Sequence, residues 1–261
     1  MAITTLDGYI ASSKQKLSLM KTASRTTVAT GWFSTFDLAG NPGAGTLAGT
    51  STTTGVVPTD ATAGCPIINF STGTGYLTKV EYGNSVASRI RIMDMLWKGG
   101  AYAFNASTTG QTPTSFSSRI TGGDYTDTEL WIEFVTASTG TQSVAITYTN
   151  QAGTTGRTTG TVVTVAGTVG RMVQIPLAAG DTGIQAVTGV VGSVATVGTF
   201  NVLVLRPLWT GRVKLANDGD VHALDKTGMP IVFSDSALIT LINADSTSSG
   251  IPDIYAEVSN G

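Results

Sequence analysis

The stretch Asn217-Asp218-Gly219-Asp220-Val221-His222-Ala223-Leu224-Asp225 holds the only histidine of the chain among three aspartates. An imidazole beside carboxylates is the material of a general base or a metal site. A serine hydrolase would have to use His222, and the GxSxG elbow such enzymes carry is absent. The EF-hand pattern is not met, and no second histidine exists for a zinc or iron site. Asn, Asp and Gly in succession are first of all turn residues. The expectation is therefore a turn, with no metal and no cofactor.

A second group is Asp124, Asp127, Glu129 and Glu133, with Trp131 among them. Paired carboxylates cleave glycosidic bonds, and a tryptophan can stack on a sugar. Yet Glu129, Trp131 and Glu133 share one face of a strand, and an ordinary polar outer face produces the same pattern. No enzymatic activity is expected. The Gly/Thr/Pro-rich run from Gly40 to Gly64 lacks the GxxxxGK[ST] pattern of a phosphate-binding loop and reads as a linker. Lys14, Lys16, Lys21 and Arg25 give the start of the chain a basic character. Without an arginine-rich run or interleaved aromatics, no specific nucleic-acid partner follows.

The elements that must position these residues are strands. Of 261 residues only 12% are charged, about half the usual share of roughly 25%. Thirty-two glycines and many threonines and serines fill the gap, while 41% of residues are hydrophobic. Helices need charged outer faces, whereas this composition suits strands and tight turns. The clearest stretch is Glu129–Thr149, read as a β-hairpin. Leu130, Ile132 and Phe134 alternate with Trp131, Glu133 and Val135, and Val144, Ile146 and Tyr148 alternate with Ala145, Thr147 and Thr149. Further strands are expected around 76–82, 86–97, 169–175, 184–191 and 199–208. Short strands at intervals of about ten residues with Gly-rich turns indicate a mainly β protein, an antiparallel β-sandwich of jelly-roll type.

Three segments follow: an N-terminal arm and linker over 1–64, a sandwich core over 65–212, and an acidic, β-rich C-terminal extension over 213–261. The arm holds one short helix, with Asp7 as its N-cap. Tyr9, Ile10, Leu17, Trp32, Phe33 and Phe36 are its candidate interface anchors, placed either on this subunit's core or in a pocket of another subunit. A basic start and an acidic end could steer one subunit's arm to another's tail. The start MAITTLDGYIASSKQKL has no apolar stretch of a signal peptide, and the uncharged run 182–205 is interrupted by Gly, Ser and Thr, so no membrane partner is expected.

The start MAITTLDGYIASSKQK, the block LWKGGAYAFNAS, the run GGDYTDTELWIEFVTASTGTQSVAITYTNQAG, and FNVLVLRPLWTGR with DKTGMPIVFSDSAL together resemble the structural proteins encoded in virion gene clusters of tailed bacteriophages. The resemblance implies a virion component of the capsid cement (decoration) type, assembled in the host cytoplasm. Its implied partners are the major capsid protein and itself, as a homotrimer. It brings no site residues. Two other readings stand beside it: a carbohydrate- or receptor-binding module of a tail fibre or spike, and a glycan-degrading enzyme.

Overall fold

The computed structural model describes residues 3, 5–70, 74–105, 108–164, 166–193 and 197–261. The protein is mainly β, built from antiparallel sheets stacked as sandwiches. The compact units do not follow the expected boundaries at 64 and 212. One unit comprises Met1–Thr46, Thr59–Asp94 and Leu208–Gly261; the other comprises Leu47–Pro58 and Met95–Pro207. The strands Ser88–Ala103 and Thr199–Val213 each contribute residues to both.

In the first unit one sheet runs in the order Ser13–Ser18, Pro252–Asn260, Gly75–Asn84, Asp218–His222, with Ile231–Val232 also pairing onto Gly75–Asn84. A second set pairs Trp32–Ser34 with Leu238–Ala244, and that strand with residues 88–94. Leu17, Val80, Ile90, Ile92, Ile242 and Ile254 belong to the cluster buried in this unit. Opposite Pro252–Asn260 the register slips between the pairs Lys79 with Glu257 and Leu77 with Val258, leaving Thr78 as an extra residue. This bulge returns Leu77 to the buried side. Thr78 is buried, and its hydroxyl bonds the Glu257 carboxylate at 3.0 Å and the Ser259 hydroxyl at 2.9 Å.

The terminal segments are thus not appendages. Ser13–Ser18 is a strand of the sheet, and Pro252–Asn260 lies between it and Gly75–Asn84. Apolar residues on alternate positions, Ile254, Ala256 and Val258, are all buried, so burial of this face fixes which side of the strand faces the core.

The second unit sets Gln142–Asn150, paired with Ile184–Ser193, against Glu129–Thr136, which pairs with Arg171–Ile175 and with residues 199–205. The expected hairpin is corrected here. Both strands form with the expected faces, but they do not pair with each other. Leu130, Ile132 and Phe134 join Val144, Ile146 and Tyr148 in one buried cluster, so the strands face each other across the core from opposing sheets. The link is held in this arch by Ser138, whose N–H donates to the Gly167 carbonyl and whose hydroxyl accepts from the Gly167 N–H, both at 2.9 Å.

Candidate functional site

The outer face of the first unit's sheet gathers ionic side chains from three strands. Lys16 lies 3.3 Å from Glu81 and 4.1 Å from the centre of the Tyr255 ring, and Lys79 lies 2.5 Å from Glu81. The hydrogen bond from Lys79, then that from Lys16, holds the Glu81 carboxyl below its ordinary range. Tyr9 donates to Glu257 at 3.1 Å; burial, then that hydrogen bond, pushes the phenol up. These pairs are substantially exposed, so each contributes little to stability. Among them, the contact that ties the helix above to this sheet is the one from Tyr9 to Glu257.

That helix is Leu6–Ala11. Its N-cap is Thr5 and not the expected Asp7: the Thr5 hydroxyl accepts from the Gly8 N–H at 3.0 Å. Lys14 donates to the Tyr9 carbonyl at 2.8 Å and the Ser12 carbonyl at 3.3 Å, closing the other end. The helix buries no residue, and Leu6 and Ile10, four apart on one face, are each 65% exposed.

The six expected anchors divide. Leu17, Phe33 and Phe36 are buried in this chain, at 2%, 0% and 4% exposure, and cannot also enter a pocket elsewhere. Phe36 packs against Gly45 and Gly64, where a Cβ would come within 2.4 and 2.7 Å of its ring. Trp32 is half-buried, with the Arg91 guanidinium 5.8 Å from its ring centre. Tyr9 is half-buried, and only Ile10 is open. Leu6, at helical spacing from Ile10 but outside the expected anchors, is open as well.

His222 closes the strand Asp218–His222, where a turn had been expected; Asn217, at φ 61°, supplies the turn just before it. The imidazole Nδ1 accepts the Trp209 indole N–H at 3.0 Å, and Nε2 lies 3.2 Å from the Tyr82 hydroxyl. The three rings meet edge to face. Asp218 and Asp220 each accept the N–H of the following residue, at 2.9 and 2.8 Å. The histidine is a packing element whose polar atoms are matched to its neighbours.

In the second unit an open cleft of about 390 Å³ is lined by Asp127, Glu129, Gln174, Asp181 and Thr182 among others. Glu129 accepts the Trp131 indole N–H at 2.8 Å. Asp181 is engaged by Arg157 at 2.8 Å, Tyr148 at 2.6 Å and Asn150 at 2.7 Å, and the Arg157 guanidinium holds its carboxyl down at about 2. Trp131 and Glu133, expected on a polar outer face, are buried at 0% and 1% exposure. Glu133 accepts from Asn201 at 2.9 Å and lies 3.9 Å from Lys98, itself buried. Of the four carboxylates singled out from the sequence, Asp127 and Glu129 line this cleft, while Asp124 binds the Thr126 N–H at 3.0 Å and Glu133 is interior, and the buried Trp131 offers no ring to a sugar. Trp97 and Trp209 are buried as well, at 0% and 4%.

No helix among the described residues is long and apolar enough to cross a membrane. No protein-family model matches the chain, and no curated protein matches it. Among solved structures it is similar to that of the infectious bursal disease virus Gx strain, at 10% identity and a TM-score of 0.18 over 95% of this chain and 80% of that one. It is also similar to the VP2 subviral particle of infectious bursal disease virus, at 11% identity and a TM-score of 0.17 over 95% and 80%. At these scores the likeness establishes neither a shared fold nor a shared role.

Proposed function

We propose that this chain is a structural virion protein of a tailed bacteriophage, a capsid cement protein that binds the major capsid protein and further copies of itself and carries out no catalysis. The observation that carries the reading is the helix Leu6–Ala11. It is pinned to the sheet by Tyr9 and Lys14, yet presents Leu6 and Ile10 outward. A positioned, exposed apolar pair on a rigid β body is suited to an external pocket, because little ordering entropy remains to be lost on docking. Burial of Trp131 and Glu133 and the engagement of Asp181 by Arg157 support the non-enzymatic reading. A protein that binds the assembled lattice and not its separated parts stabilises the lattice by mass action.

The test is localisation on purified particles, comparing whole virions with tailless heads by immuno-gold and mass balance. Hundreds of copies on heads are expected. A few copies confined to the tail would overturn the cement reading in favour of a fibre or spike module.

A further inference from the structure

The first unit's sheet ends in two strands of opposite charge. At one edge, Ser13–Ser18 carries Lys14 and Lys16 and no acid of its own, Lys16 being paired with Glu81 of the same sheet. At the other, Asp218–His222 carries Asp218 and Asp220 and no lysine or arginine. Over 214–226 three aspartates face two lysines, so that edge stays net negative. Each edge also exposes large apolar side chains. Gln15 of the basic strand holds the Ile67 carbonyl at 2.8 Å and the Asn69 N–H at 2.8 Å, and Ile67 is 54% exposed beside it. On the acidic side Val221 is 46% and Leu215 70% exposed.

We infer that copies of this chain associate head to tail, the basic Ser13–Ser18 edge of one meeting the acidic Asp218–His222 edge of the next. Like charges disfavour the pairing of either edge with itself, so the contact is heterologous and builds a ring or an open filament according to the rotation between copies. The join is made by side chains and not by adding strand to strand. On the acidic edge the N–H groups of Gly219 and Val221 already donate to Asp218 and Asp220, and on the basic edge Gln15 occupies the neighbouring backbone. Leu6 and Ile10 remain outside this contact. The inference rests on the structural-protein reading and deepens its self-association.

The test is light scattering of the full chain, at tens of micromolar and low salt, for the wild type, Lys14→Glu with Lys16→Glu, and Asp218→Lys with Asp220→Lys. The wild type is expected as an assembly of three or more copies that dissociates as salt rises. Each reversed variant, with wild-type circular dichroism, is expected as a monomer. Mixing the two variants restores the larger species, because each then finds an opposite edge. A monomeric wild type, reversed variants that stay assembled, or a mixture that stays monomeric overturns the inference. If a variant loses its circular dichroism signal, the salt titration of the wild type decides alone: a size unchanged by salt overturns the inference. Particle co-sedimentation is read separately: a wild type that is monomeric yet binds heads sinks the head-to-tail association and leaves the cement reading standing.

Discussion

Trp209 gives its indole N–H to Nδ1 of His222 across 3.0 Å, and the two residues close the space beneath the Asp218–His222 strand. Trp209 is 4% exposed, so water cannot readily replace the acceptor. His222→Ala is expected to cost about 1–3 kcal/mol, the penalty of a buried donor left unmatched. Urea unfolding checks it. An unchanged midpoint would show that the indole finds another acceptor.

Acid should act through Asp181. Its carboxyl is held at about 2, chiefly by Arg157, against an ordinary value of about 3.9. A depressed folded-state pKa contributes stability that is complete above the ordinary value and is lost as pH falls from about 4 to about 2. Asp181→Asn should flatten the stability profile in that window. Arg157→Gln should shrink the same loss, because the folded-state carboxyl then moves back toward its ordinary value. Denaturation at pH 5 and at pH 2.5 separates these outcomes from no effect.

Leu6→Asp with Ile10→Asp is expected to weaken attachment to phage heads at least about tenfold, the scale of losing an interface anchor. Its melting temperature should be unchanged, since the helix buries nothing. Phe33→Ala should do the opposite, costing about 3–5 kcal/mol of stability as a core truncation. Co-sedimentation and thermal melts, run on both variants, tell surface from core.

Lys98 and Glu133 form a buried pair. Lys98→Met should destabilise by about 3–5 kcal/mol because it removes a cation from beside a buried carboxylate. The double change Lys98→Met with Glu133→Leu should recover part of that loss. A double variant no better than the single one would show that Asn201, which also binds Glu133, is the partner that matters.

Gly55 sits at φ 60° with its open side against the Trp97 ring, where a Cβ would come within 2.2 Å. Gly55→Ala is expected to cost at least about 1–3 kcal/mol through overpacking and backbone strain together. Chemical denaturation reads the change.

Strand faces were legible in the sequence because a period of two is written residue by residue. Leu130, Ile132 and Phe134 point inward as their spacing requires. Strand partners were not legible. A five-residue link between two apolar strands permits a hairpin or an arch, and the choice depends on distant contacts such as Ser138 with Gly167. The same limit hid the burial of Trp131 and Glu133, since alternation shows two faces but not that both are covered. It also made Leu17, Phe33 and Phe36 resemble anchors, because apolar residues of an arm look the same whether they dock on their own chain or on another. Ile10 and the helix around it could be read because helix spacing is local.

The pairing of Ser13–Ser18 with Pro252–Asn260 has a cost in time. Leu17 stands opposite Ala256, 239 residues later in the chain. At translation rates of roughly 5–20 residues per second, the first strand waits on the order of 12–50 s for its neighbour to be made. Until then the first unit cannot close, and Leu17 and Leu19 lack the strand that covers them. The second unit needs nothing beyond Pro207 and can settle first. A cell making many copies at once therefore holds a population of half-finished chains with an unpaired sheet edge, the stage at which this protein is most exposed to aggregation and to chaperone capture.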